Sequence, residues 1–193
     1  MRGRAQVIFT VSLVAALSLL GCRKPLKKPE AERLLRSANF LAETATTRLV
    51  LYRNFVFPAA DLIAEHRDMV KFMDLGLVAV QPNEVWLGKP IGARFVLTSE
   101  GERSAASGWQ HTSGSGGEDA WIVPTARKEL VQVREPVDRG QFAECTFVWK
   151  WIPTKVGDKT GAPKGSETFS ARFHLEGDEW YLDESSIGQF AAR

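Results

Sequence analysis

The sequence predicts an α+β protein, with N-terminal helices followed by an antiparallel β-sheet meander. Three observations carry this. Apolar residues recur at three- and four-residue spacing up to about residue 75, the mark of helices with one buried stripe. From Leu77 onward they alternate with period two, so one strand face is apolar and the other polar. Helix and strand signals occur in separate blocks and do not alternate as βαβ units, which argues against a parallel dinucleotide-binding sheet.

Taken in chain order, residues 22–29 (CRKPLKKP) read as a short tether, because Pro25 and Pro29 oppose regular structure. A helix is expected from Glu30 to about Tyr52, its stripe formed by Leu34, Ala38, Leu41, Ala45 and Leu49. The β-branched stretch TATTRLVLY ends it early. Pro58 interrupts, and a second helix over 59–75 carries Leu62, His66, Met69, Val70 and Met73 on one side, with Gly76 as its C-cap. Strands are then expected at 77–80, 85–87 and 91–97. Ten of the nineteen residues 99–117 are Gly or Ser, the composition of a mobile connection. Further strands follow at 120–126, 129–134, 141–152 and 167–176, and Gly177-Asp178 turns the chain into a last strand at 180–183. In the strand 141–152 the core face is Ala143, Cys145, Phe147, Trp149 and Trp151; in 167–176 it is Phe169, Ala171, Phe173 and Leu175. Residues 30–193 are thus read as a single α+β domain, with no internal repeat.

The composition agrees with a packed domain. Of 193 residues, 44% are hydrophobic and 25% charged, which excludes a collagenous, coiled-coil or wholly disordered chain. Two cysteines exclude a disulfide-rich scaffold. The first 22 residues differ from the rest. Arg2 and Arg4 precede an apolar run, Val7 to Leu20, that is about 21 Å long as a helix, too short for a hydrocarbon core of about 30 Å. A charged start and a short apolar run describe a secretory signal peptide. The run closes on Leu19-Leu20-Gly21-Cys22, which resembles the lipobox of bacterial lipoproteins, although Leu20 stands where a small or β-branched residue is usual. The resemblance implies a leader at residues 1–21, cleavage before Cys22 and acylation of the Cys22 thiol, often with a further acyl chain such as palmitate on the new amine. Two or three chains anchor a protein stably, whereas one binds only marginally. Arg23 stands where lipoproteins of enteric-type bacteria keep aspartate to remain at the inner membrane, so the resemblance favours the outer membrane, facing the periplasm.

The charge distribution separates lipid from nucleic acid. Arg2 and Arg4 leave with the leader, and Arg23, Lys24, Lys27 and Lys28 precede Pro29. From Pro29 onward 19 basic residues face 23 acidic ones, so the domain has no basic footprint for nucleic acid. The four basic residues beside Cys22 read instead as a patch near anionic headgroups. Residues 59–108, with Leu75-Gly76-Leu77-Val78 and Leu97-Thr98-Ser99-Glu100-Gly101, resemble the recognition helix, wing and Leu-Thr-x-x-Gly exit of winged-helix regulators. The helix segment carries Glu65, Asp68 and Asp74 against Arg67 and Lys71, so a shape without DNA binding is expected. The terminal hairpin ending Gly-Asp-Glu-Trp-Tyr-Leu resembles the last strands of NTF2-like and cystatin-like folds.

No catalytic set is legible. His66, His111 and His174 have no zinc spacing, so neither metal nor cofactor is expected. Ser113-Gly114-Ser115-Gly116-Gly117 lacks the Lys-Ser/Thr of a P-loop. It resembles a Ser-Gly-Ser-Gly motif of lipoprotein inhibitors of lysozyme, with the following aromatic displaced to Trp121 and their disulfide absent. Glu118-Asp119 and Asp183-Glu184 are neighbours that point to opposite strand faces, not acid–base dyads. Cys145, on an apolar face, reads as a core residue rather than a nucleophile.

Two features remain as contact candidates. Trp149 and Trp151 share a face near Trp121 and Trp180, and form either core or the lining of a pocket for an apolar or sugar-like ligand. The segment 152–167 is long for a hairpin and carries Lys155, Lys159 and Lys164, an edge suited to a protein partner in the envelope. The expectation is a membrane-anchored cell-envelope lipoprotein with a non-catalytic binding or assembly role. A small-pocket enzyme of NTF2-like type, or an envelope inhibitor of a hydrolase, is the alternative.

Overall fold

The computed structural model describes residues 24–52, 63, 66–82, 85–86, 89–90, 92–113 and 118–189. The leader, Cys22, the start of the second expected helix, and residues 114–117 lie outside the described residues. The chain mixes helix and strand and is dominated by one antiparallel sheet. The sequence reading expects the helices to precede the strands as a block; instead they are interspersed among them.

Helix α1 (Lys28–Arg36) and the single turn α2 (Asn39–Ala42) are followed at once by strand β1 (Thr44–Tyr52). The helix expected to reach Tyr52 therefore stops at Arg36. The spacing of Ala38, Leu41, Ala45 and Leu49 matched a helix by coincidence, and the Thr-Ala-Thr-Thr run follows its β preference. Helix α3 (Arg67–Asp74) leads into β2 (Val78–Pro82), the short β3 (Val85–Trp86) and β4 (Lys89–Pro90), and β5 (Ala93–Leu97). The expected Gly/Ser connection contains helix α4 (Ser99–Ala106) and strand β6 (Gln110–Ser113). The two strands expected at 120–126 and 129–134 are one strand, β7 (Glu118–Val133). Strand β8 (Val137–Asp138), β9 (Phe142–Pro153), helix α5 (Lys155–Thr160), β10 (Gly165–Glu176) and β11 (Glu179–Gln189) complete the chain.

The main sheet runs β1-β7-β9-β10-β11, with β6 and β8 attached to β7 and β9. Strand β7 organises it. Its first half pairs with β1 and β6, Leu49 opposite Trp121 and His111 opposite Trp121. Its second half pairs with β9, Leu130 opposite Trp149. Bulges near Thr125 and Val131 shift the register, which is why the period-two pattern broke and one strand read as two.

Two hydrophobic clusters share the buried face. Leu35 of α1 joins Leu130, Ala143, Cys145, Phe147, Trp149, Phe173 and Trp180 of the sheet in one cluster, with Phe169 packed against them. Phe72 of α3 and Val78 and Phe95 of the β2–β5 pair join Leu49, Leu51, Val123 and Val156 in the other. Residues 24–29, expected as a tether, are not free. The side chain of Leu26 is buried in the first cluster, and the Trp180 indole Nε1 donates to the Lys24 carbonyl at 3.0 Å.

One local device occurs twice. Thr98 ends β5 and caps α4, its hydroxyl oxygen accepting from Gly101 N at 3.0 Å, while its own N–H donates to Leu77 O at 3.0 Å. Thr154 ends β9 and caps α5 in the same way, accepting from Gly157 N at 3.1 Å and donating to Thr125 O at 2.8 Å. A Cβ on Gly101 would stand 2.1 Å from Leu77 O, and one on Gly157 would stand 1.8 Å from Thr125 O. Thr-x-x-Gly is thus a strand-to-helix turn in which the glycine lets the helix start abut a neighbouring backbone carbonyl.

Candidate functional site

The two tryptophans singled out in the sequence meet in the first cluster. Trp149 is 3% exposed, and Phe40, Trp151 and Phe169 stand edge-on to it at ring-centroid distances of 5.3, 5.4 and 5.5 Å. The space they enclose is filled by Lys128. Its Nζ lies 3.5 Å from the Phe40 ring centroid, 4.9 Å from that of Trp149 and 5.4 Å from that of Trp151. Glu43 accepts from the same ammonium at 2.6 Å. The lysine side chain is 5% exposed and the glutamate 66%, so the cation is desolvated by rings and the carboxylate reaches in from solvent. The aromatic box is occupied by the chain's own cation. Trp151 is half-buried beside it.

Lys155, Lys159 and Lys164 are exposed, the first two on α5 and the third before β10. The segment expected as a loop is anchored helix: Val156 is buried in the second cluster, and Lys164 pairs with Asp158 at 3.1 Å. His174 stacks on Tyr181 at 5.8 Å on the exposed sheet face, while His66 stands edge-on to Phe95 at 6.1 Å. Asp183 accepts from the Ser185 hydroxyl at 2.6 Å, a bond that lowers its pKa, and Glu184 accepts from Asn39 N at the start of α2 at 3.2 Å. That acidic pair is therefore used to hold a turn and a helix start. Cys145 is 2% exposed and its thiol donates to Arg134 O at 3.3 Å. Burial pushes its pKa up to about 11, the setting of an unreactive core thiol.

A different site, not legible in the sequence, lies where β5 and α4 face the first half of the sheet. Leu51, Arg94, Phe95, Val96, Leu97, Glu102, Asp119 and Trp121 line a cleft of about 390 Å³. Leu51 and Asp119 are paired across β1 and β7, so they share one sheet face. On the same face His111 packs against Trp121 at 4.5 Å, and its Nε2 lies 3.3 Å from Asp119 Oδ1. Two lining residues carry buried donors with no hydrogen-bond partner among the described residues, the Arg94 guanidinium Nε and the Trp121 indole Nε1. Arg94 is fixed by its other end, where Nη2 donates to Gln81 at 3.4 Å. The lining thus brings an arginine, an indole and two acidic side chains around an apolar floor.

Among the described residues no group of His, Cys, Asp or Glu could hold a metal ion, and no helix is long and apolar enough to cross a membrane. No protein-family model, curated protein or solved structure matches this chain.

Proposed function

We propose that the protein is a lipid-anchored component of a bacterial cell envelope, processed at Gly21-Cys22 and acylated on Cys22. Its single α+β domain has a non-catalytic binding role, exercised at the cleft between β5, α4 and the sheet. The observation that supports the cleft is that two of its lining residues, Arg94 and Trp121, carry buried donors with no partner among the described residues. A buried N–H without an acceptor costs about 1–3 kcal/mol. A ligand that draws these two side chains toward the cleft and presents acceptors to them recovers that cost. Leu51, Phe95 and Leu97 suit an apolar ring face, and Glu102 suits a hydroxyl donor. A sugar-like ligand has all three properties. On the aqueous side, Lys155, Lys159 and Lys164 give an exposed basic edge suited to a protein partner. The resemblance at Cys22, together with Arg23, favours the outer membrane facing the periplasm.

The test is Trp121→Phe, which keeps the ring and deletes the N–H. Its expected stability equals or exceeds that of the unaltered protein, while affinity for cell-wall oligosaccharide fragments, measured by titration calorimetry, falls at least tenfold. A destabilised variant with unchanged affinity contradicts the assignment. The His111–Asp119 contact supports a second reading, a small-pocket enzyme with His111 as general base. Under that reading His111→Gln abolishes turnover of a bound saccharide; under the binding reading it leaves the saccharide intact and bound.

A further inference from the structure

The chain has almost no slack between its anchor and its fold. Lys24 is already held by Trp180, Leu26 is buried, and α1 begins at Lys28. Consecutive Cα atoms are about 3.8 Å apart, so Cys22 can stand no more than about 7.6 Å from Lys24. The polar layer of one leaflet is itself roughly 5–7 Å deep. A cysteine whose acyl chains sit in hydrocarbon therefore draws Lys24 to the headgroups.

The ladder shows which end of the molecule this is. From Asp119 in the cleft, β7 runs to Val133, which pairs with Phe147; Phe147 pairs with Phe169, and β10 continues in the same direction to Leu175 beside Trp180. That path is about 20 residue steps, roughly 65 Å of strand at about 3.3 Å per residue before curling. The cleft and the Lys24–Trp180 contact are at opposite ends of the sheet.

Resting on the reading of Cys22 as lipidated, we propose that the protein is mounted flush on the bilayer. The seat is the end of the sheet formed by Lys24, Trp180 and the β10–β11 turn, and the cleft is held at the far end, toward the aqueous compartment. Charge does not set this orientation. Lys24, Lys27, Lys28 and Arg139 share that end with Asp138, Glu176, Asp178 and Glu179. A near-balanced patch gains little from anionic lipid, so the short anchor is what brings the surfaces together.

The experiment uses the full lipidated chain reconstituted in phosphatidylcholine vesicles, with and without phosphatidylglycerol. A donor dye is placed at Asp178→Cys, in the β10–β11 turn, or at Ser107→Cys, just after α4, and energy transfer to a headgroup-labelled lipid is measured. Cys145, at 2% exposure, stays unlabelled. The expected transfer from position 178 is several-fold that from position 107, in both lipid compositions and at about 1 M salt, where charge is screened. Twelve Gly/Ser residues inserted between Arg23 and Lys24 bring the two positions toward equality. Equal transfer without the insertion, or no effect of the insertion, overturns the flush seat. Failure of the chain to float with the vesicles overturns the lipid anchor itself.

Discussion

Replacing Trp149 by alanine is expected to cost the fold about 3–5 kcal/mol, the range for truncating a buried large aromatic. The structure places the substitution at the upper part of that range. The ring is 3% exposed, three aromatic neighbours stand edge-on to it within 5.5 Å, and it forms one wall of the Lys128 box. Each edge-on pair contributes about 0.5–1.5 kcal/mol beyond burial, and a desolvated cation–π contact about 2 kcal/mol. These terms share one ring and do not add. The variant also opens a cavity beside a buried ammonium that keeps, among the described residues, Phe40, Trp151 and Glu43 as partners. Trp149→Phe separates the contributions. It retains a ring and removes the indole Nε1, which is buried without a hydrogen-bond partner among the described residues. Losing that orphan returns about 1–3 kcal/mol against the lost volume, so the expected cost is below about 1.5 kcal/mol. Urea unfolding followed by far-ultraviolet circular dichroism reads both numbers. An alanine variant within about 0.5 kcal/mol of the unaltered protein, the range of surface positions, would refute the packing of this box.

Other outcomes follow from the same contacts. Gly101→Ala and Gly157→Ala each drive a methyl into a backbone carbonyl, at 2.1 and 1.8 Å, so each is expected to destabilise by more than about 2 kcal/mol in the same urea assay. Values near zero would remove the Thr-x-x-Gly turn as a structural device. The Cys145 thiol, raised from 9.0 to about 11 by burial, keeps its proton in the folded state after the unfolded chain has lost it. Stability is therefore full below about pH 9 and falls by about 2–3 kcal/mol as pH rises toward 11. Cys145→Ala is expected to flatten that decline, and an unchanged pH profile would contradict it.

How much of this was legible in the sequence depended on whether one residue's environment was local. Strands β9 and β10 are legible nearly to their ends, because Ala143, Cys145, Phe147 and Trp149 keep period two in β9 and Phe169, Ala171, Phe173 and Leu175 keep it in β10. Strand β7 was split in two because its bulges near Thr125 and Val131 reverse the alternation, and bulges leave no period of their own. Helix α4 is hidden by its Gly and Ser content; its usable signal is Thr98 followed three residues later by Gly101, a pair that reads equally as the exit of a wing and as a helix cap. Lys128 gave no sign of burial, since only the folded sheet brings Phe40, Glu43, Trp149 and Trp151 around it. The cleft was illegible for the same reason. Its donors and carboxylates come from β5, α4 and β7, and their charges and rings are unremarkable one at a time.

The most direct measurement is the intact mass of the protein extracted with detergent from its own membranes. The account predicts a chain that begins at Cys22 and carries a diacylglyceryl group, with or without a third acyl chain on the amine. A chain that retains residues 1–21, or an unmodified Cys22, would contradict it.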